Sequence, residues 1–245
     1  MRSKWFLIAA ILALVSGAAT AQGLSVYMAQ AICADYNEAG GKLLIETAAA
    51  SSDAVLVKAI VLHNLAYYYD KSYLTEALKT LESLSALPLA RAYKGSGMTL
   101  VGRYALESKD VVTAADQTQK GLALLNQAQQ SDPTNPWIRY LRLLDGIEVS
   151  RLSPFKQYDI IAADVEYLSA SILSNAGDFL AATGHEFDGD QGKAFRAAVL
   201  FQIGEYWFDR KKVAKALGCW DKASRVSSLS RYGKLAAGKL ALMED

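Results

Sequence analysis

The segment Ala194–Ser228, AFRAAVLFQIGEYWFDRKKVAKALGCWDKASRVSS, has the pattern of two helices joined by a tight turn. Apolar residues recur every three or four positions in both halves. The small residues Gly204 and Ala223 stand where two helices would cross closely, and Trp207 and Trp220 fill the space beside them. One hairpin cannot bury an apolar face of this width, so the segment predicts neighbouring hairpins packed against it.

The rest of the chain supplies further helical segments. Apolar residues recur at spacings of three and four, and no strand pattern occurs. The clearest break is the segment 131–136, and Pro136 suits the first turn of a helix. We expect the segment 37–41 to end a helix, because paired glycines readily form C-caps. Of the consecutive tyrosines 67–69, Tyr68 is expected to face outward. The sequence predicts an all-α protein of antiparallel helix pairs.

The segment 1–21 has the pattern of a cleavable secretory signal peptide. A short basic segment precedes an apolar run from Trp5 to Val15, and Ala19-Thr20-Ala21 matches a cleavage site. The apolar run is too short to span a membrane comfortably. We expect one mature domain over 22–245 and a periplasmic or secreted location.

Charge and hydropathy narrow the range of partners. The chain has 26 basic and 25 acidic residues. No basic block stands out, so a nucleic acid partner is not expected. No later apolar run approaches the ~20 residues of a transmembrane helix, so no integral membrane segment is expected after signal cleavage. Cys33 and Cys219 could form a disulfide in an oxidising compartment, but an open helical stack would hold them apart. The oligomeric state stays open.

The opening segment resembles the tetratricopeptide repeat, a helix–turn–helix unit of 34 residues. The residues that match the repeat are Leu200, Ile203, Gly204, Trp207, Ala216, Trp220 and Ala223. The segment 65–88 matches it less closely, and the residues up to 173 match it loosely. The resemblance implies antiparallel hairpins stacked in a right-handed superhelix, with irregular repeats and a terminal capping helix.

The resemblance also implies binding, because the first helix of each repeat lines a concave groove. The groove positions of the family correspond here to His63, Tyr67, Arg142, Phe201, Glu205 and Phe208. We expect these residues to contact a ligand or partner, with ordinary core packing as the alternative for each of them. The leading expectation is a scaffold of the bacterial cell envelope that binds a protein or peptide. The alternatives are a periplasmic carrier of a small ligand with an apolar cleft, accompanying a transporter, and a hydrolase with an unrecognised motif.

Catalytic and cofactor motifs are missing from the sequence. The chain has two histidines, His63 and His185, in different regions, and no phosphate-binding, dinucleotide or zinc-protease pattern. We therefore expect no enzymatic activity, no cofactor and no metal. Glu186, Asp188 and Asp190 alternate in a loop of the kind that can hold calcium, but the full EF-hand pattern is absent. A solvated turn is the alternative for this loop.

Overall fold

A computed structural model of the protein describes residues 26–33, 35–171 and 189–244. These residues form eleven α-helices and two short 3-10 turns, without a β-strand, so the all-α prediction is confirmed. The helices are α1 (Val26–Cys33), α2 (Glu38–Thr47), α3 (Ala54–Tyr68), α4 (Leu74–Ser83), α5 (Pro88–Glu107), α6 (Val111–Ser131), α7 (Pro136–Leu152), α8 (Tyr158–Ser171), α9 (Asp190–Asp209), α10 (Val213–Val226) and α11 (Arg231–Glu244). The predicted signal peptide, His185, Glu186 and Asp188 lie outside the described residues.

Capping side chains and a proline set the start of α7. The side-chain oxygen of Asn135 accepts hydrogen bonds from the amides of Trp137 and Ile138, at 3.0 and 3.3 Å. Pro136 is the first residue of the helix, where its missing N–H costs nothing. The break predicted at 131–136 therefore matches the structure.

The segment 37–41 begins a helix, so the prediction that it ends one is wrong. Asn37 caps α2, and its side-chain oxygen accepts a hydrogen bond from the Gly40 amide at 2.8 Å. A β-carbon on Gly41 would come within 3.1 Å of the Leu65 side chain on α3. The second glycine thus allows close helix packing, which outweighs the usual preference of paired glycines for a C-cap.

The helices α3, α5, α7 and α9 form an inner row, in which each packs against the next. Each of them also pairs with the helix that follows it in the chain: α4, α6, α8 and α10. The inner helices are buried on nearly every side, and α7 buries 13 of its 17 residues. The outer helix α4 buries only the stripe of Leu74, Ala77 and Leu81. This difference explains why the inner segments look apolar all round and the outer ones amphipathic.

Glycines let paired helices approach closely at two crossings. Gly204 of α9 lies against the fully buried indole of Trp220 on α10, and a β-carbon there would collide with the ring. A β-carbon on Gly95 of α5 would lie 2.7 Å from the carbonyl oxygen of Gly121 on α6. The close crossing predicted within 194–228 is therefore confirmed at Gly204.

The first and last helices of the inner row share a neighbour, because α1 packs against both α3 and α9. Cys33 is buried on α1 and Cys219 is half-buried on α10. No disulfide joins cysteines in the part of the chain that the structure describes. None of the described helices is long and apolar enough to cross a membrane.

Candidate binding cleft at the ends of the inner helices

Three of the six predicted groove residues line a single cleft. Tyr67, Phe201 and Glu205 meet between the last turns of α3 and α7 and the second half of α9. The cleft has a volume of about 300 Å3. Its complete lining is Tyr67, Leu144, Ile147, Glu148, Arg151, Leu152, Phe201, Gln202 and Glu205. Buried apolar side chains therefore lie beside several polar groups, which is the usual composition of a small-molecule site.

Glu148 connects the cleft to α5. The Tyr67 hydroxyl donates a hydrogen bond to Oε2 of Glu148 at 2.8 Å, and Nη1 of Arg103 donates to Oε1 at 2.5 Å. The Arg103 guanidinium also lies 5.1 Å from the centre of the Tyr67 ring. Burial, and then the charge of Glu148, raise the pKa of Tyr67 well above its ordinary value, so the phenol keeps its proton. Both oxygens of Glu148 are thus occupied by donors from the protein itself.

Arg151 is the most exposed charged residue of the cleft, with a side chain 38% accessible. Its Nε and Nη2 donate to the two oxygens of Asp209 at 2.8 and 2.9 Å. Nη2 also lies 2.8 Å from Oε2 of the buried Glu205. Lys239 of α11 lies 3.1 Å from Oε1 of Glu205. Nη1 of Arg151 makes no hydrogen bond to any described residue, so two N–H groups stay available to a ligand.

Gln202 lines the cleft with an amide that has no hydrogen-bond partner among the described residues. The residue is only 6% exposed. The amide oxygen and nitrogen of Gln202 are not among the buried polar atoms that lack a partner, so they are accessible from the cleft. The Gln202 amide is therefore available to a molecule bound in the cleft, as a donor and as an acceptor.

A second pocket of about 160 Å3 adjoins the cleft, between α5, α6 and α7. Glu148 and Leu152 line both spaces. Most of the remaining lining of this second pocket is apolar and includes Leu106, Val111, Ala114, Ala115, Val149, Pro154 and Phe155. We call it the apolar pocket.

Comparison with family models, with curated proteins and with solved structures gives no match to this chain. Among the residues that the structure describes, no group of histidines, cysteines and acids could hold a metal ion.

His63 lies behind the cleft in a buried polar cluster. Its ring nitrogens are hydrogen-bonded to Asn64 and Ser96, each at 3.0 Å. Burial lowers the pKa of His63 to about 4, so the ring is neutral at physiological pH. Asp145, also buried, faces the hydroxyls of Ser96 and Thr99. Ser96 thus stands between the histidine and the acid, whereas a nucleophilic triad needs the histidine in the middle.

Arg142 lies away from the cleft and joins α7 to α6 and α8. Its Nε donates to Oδ2 of Asp164 at 2.6 Å, and its Nη2 donates to Oδ1 at 3.0 Å. Nη1 donates to Asn126 and Gln129, both at 3.2 Å. The Asp164 side chain is fully buried. Every nitrogen of the Arg142 guanidinium is therefore engaged inside the protein.

Phe208 also lies apart from the cleft. Its ring centre is 5.5 Å from that of Trp220, and Lys239 of α11 lies 5.9 Å from the ring centre. The side chain is half-buried between α9, α10 and α11. This position makes Phe208 part of the packing of the last three helices.

Three polar residues of the cleft, Glu148, Arg151 and Gln202, were not among the predicted groove residues. Gln202 stands between Phe201 and Ile203 in the otherwise apolar run 197–204 of α9, and an amide inside such a run is a usable signal. Nothing in the sequence distinguished Arg151 and Glu148 as cleft residues, because charged residues are common near the end of a helix.

Proposed function

We propose that the protein is an exported, non-enzymatic binding protein of the bacterial cell envelope, and that its cleft holds a small ligand. Export is inferred from the signal pattern of 1–21. The observation that carries the binding function is the cleft itself, in which the amide of Gln202 and Nη1 of Arg151 have no hydrogen-bond partner among the described residues and are accessible to a ligand.

The framework we propose for this protein is a tetratricopeptide-like stack. Two features support it. Each inner helix contacts the next inner helix and its own following helix, as stacked hairpins require. The helix α11 packs against both α9 and α10, where a terminal helix would cover the last hairpin.

A small ligand fits the cleft better than the extended peptide that the groove positions suggest. The inner helices, which would line an open groove, are almost completely buried by one another and by the outer helices. The cleft volume of about 300 Å3 falls at the lower end of the range for small-molecule sites. The carrier alternative is therefore the one that the geometry supports best.

The unoccupied hydrogen-bonding groups indicate the class of ligand. Nη1 of Arg151 and the side-chain nitrogen of Gln202 are donors. Both oxygens of Glu148 are already occupied, and the charge of Glu205 is balanced by Arg151 and Lys239, although its Oε1 accepts no hydrogen bond. A ligand that ends in a carboxylate would accept from both donors, and charge-assisted hydrogen bonds of this kind are among the stronger ones.

A titration with butanoate, followed by NMR of the mature protein, tests the proposal. We expect saturable shifts of resonances around the cleft, and a Kd at least about tenfold weaker in Gln202→Leu, which keeps the volume but loses the amide. The matched control is Gln119→Leu, on the exposed side of α6. Equal affinities of Gln202→Leu and the wild-type protein would contradict the proposal.

A scaffold for a protein partner is the second candidate, because the outer side of α11 is apolar. Leu235, Leu242 and Met243 are 47%, 76% and 43% exposed. A pull-down from envelope extract with the wild-type protein and with the double variant Leu235→Lys, Leu242→Lys tests this candidate. A partner that is lost with this variant, yet is retained by Gln202→Leu, would support the scaffold over the carrier.

A further inference from the structure

The cleft and the apolar pocket have a common wall. Glu148 and Leu152 of α7 line both spaces. The Leu152 side chain is not fixed in the core, since the residue is 49% exposed. A ligand bound in the cleft can therefore reach the pocket by passing over one exposed leucine.

We infer that the ligand is amphipathic: its carboxylate head binds in the cleft and an unbranched apolar arm enters the apolar pocket. This inference rests on the proposed function and extends it from a small acid to a medium-chain alkyl carboxylate.

Three of the polar side chains that border the apolar pocket have partners within the protein. The Thr99 hydroxyl donates to the carbonyl of Ser96 at 2.7 Å, and the Ser153 hydroxyl donates to the carbonyl of Val149 at 2.9 Å. Nη1 of Arg103 pairs with Glu148, whereas the buried Nε of Arg103 makes no hydrogen bond. A polar occupant would find few partners in this pocket, so it is suited to an alkyl chain.

The rim of the apolar pocket exposes large apolar side chains. Val111 is 64% exposed and Leu106 is 36% exposed. Apolar surface around a hollow is costly in water, and an alkyl arm would cover it together with the pocket wall. The polar cleft and the apolar pocket thus provide separate surfaces for the two parts of one amphiphile.

The direction of the head follows from the donors. Arg151 and Gln202 line the cleft and are absent from the lining of the apolar pocket. The carboxylate therefore stays on the α9 side of Leu152, and the chain extends towards α5 and α6.

A chain-length series tests the inference. Butanoate, hexanoate, octanoate and decanoate are titrated into the mature protein by calorimetry, below the concentrations at which they aggregate. We expect Kd to fall by about fourfold for each added methylene until the pocket is full, and then to level off. An affinity that does not change with chain length would overturn the inference.

A substitution at the rim of the apolar pocket and its control test whether the alkyl arm of the ligand binds there. Val111→Asp puts a charge on the rim at the first position of α6, where an acid is compatible with the helix N-terminus. Its matched control is Val112→Asp, because Val112 is 81% exposed and does not line the pocket. Val111→Asp should remove most of the gain from hexanoate to decanoate and leave the Kd of butanoate unchanged. Val112→Asp should preserve the whole series.

Ala115→Phe fills the pocket from within and gives a second, independent variant. It should also abolish the dependence on chain length, with folding checked by circular dichroism. If the wild-type dependence persists in both Val111→Asp and Ala115→Phe, the arm binds elsewhere and the inference is wrong.

The outcomes separate this inference from the proposed function. Binding that depends on Gln202 but not on chain length would support the cleft as a ligand site and contradict the inference that an alkyl arm enters the apolar pocket. The absence of binding for every acid in the series would overturn both.

Discussion

The hydroxyl oxygens of Tyr68 and Tyr232 lie 2.5 Å apart, although 164 positions separate the two residues in the chain. Tyr68 is the last residue of α3, and Tyr232 lies in the first turn of α11. The guanidinium of Arg231 stacks 3.9 Å from the centre of the Tyr68 ring, and Nη2 of this arginine donates to the carbonyl of Tyr36 at 3.2 Å. The terminal helix is thus fastened to the first helix of the inner row.

Tyr232→Phe should lower the free energy of unfolding by about 1 kcal/mol, because it leaves the half-buried Tyr68 hydroxyl without this partner. Urea denaturation of Tyr68→Phe, of Tyr232→Phe and of the variant that carries both substitutions measures the coupling free energy between the two hydroxyls. The double variant should lose less than the sum of the single losses, since removal of both hydroxyls leaves neither of them unpaired. Additive losses would show that the two hydroxyls do not interact.

Gly204→Ala should lower the free energy of unfolding by about 1–3 kcal/mol, because its methyl group would collide with the Trp220 indole. Gly218→Ala on α10 is the matched control, since open space surrounds that position. The control should gain up to about 1 kcal/mol from the higher helix propensity of alanine. Thermal unfolding with identical buffers compares the two variants. Equal effects would mean that the helices can separate at Gly204 without cost.

The sequence predicted most helices, because each depends on local spacing, prolines and caps. It did not predict that α11 reaches α3, which depends on contacts between distant residues. Tyr68 illustrates the difference: it was expected to face outward, yet it is half-buried against Tyr232. A side chain that would face the solvent in a single hairpin is covered when a distant part of the chain packs on the same surface.

Arg142→Met should destabilise the protein by roughly 3–5 kcal/mol while leaving the Kd of butanoate unchanged. The substitution leaves the buried carboxylate of Asp164 with Arg139 as its remaining cation, and breaking a buried pair has a cost of this order. Lys120→Met is the control, because the Lys120–Asp116 pair is exposed and is worth less than about 1 kcal/mol. Denaturation and the butanoate titration provide the two readouts. A weaker Kd without loss of stability would place Arg142 in a binding site.

The cleft shows which of its residues could be predicted from their positions in the sequence. Tyr67, Phe201 and Glu205 line one cleft because each of them lies in the carboxyl-terminal half of an inner helix, Tyr67 on α3 and the other two on α9. Arg142 lies earlier on α7, and there its side chain meets Asp164 of α8. The partners of a long side chain depend on the neighbouring helix, which the helical periodicity of one segment does not specify.

Asp145→Asn should change the pH dependence of stability. Burial, and then the nearby charge of Glu148, raise the pKa of Asp145 to about 7 in the folded protein, against an ordinary value near 3.8. At a pH between these two pKa values, the folded protein therefore keeps a proton on Asp145 that the unfolded protein has already lost. This contribution to stability is complete below pH 3.8 and is lost as the pH rises through about 7. Asparagine, which does not ionise, removes this decline.

Urea denaturation of Asp145→Asn and the wild-type protein between pH 5 and 8 measures the effect. The difference in unfolding free energy should shift in favour of the variant by roughly 1.4 kcal/mol for each pH unit up to about pH 7. His63 acts in the opposite direction: its pKa is lowered to about 4, so its contribution is lost as the pH falls. It is present in both proteins and cancels in the difference. A difference that stays constant with pH would mean that Asp145 is ionised throughout, with Arg103 compensating for the charge of Glu148.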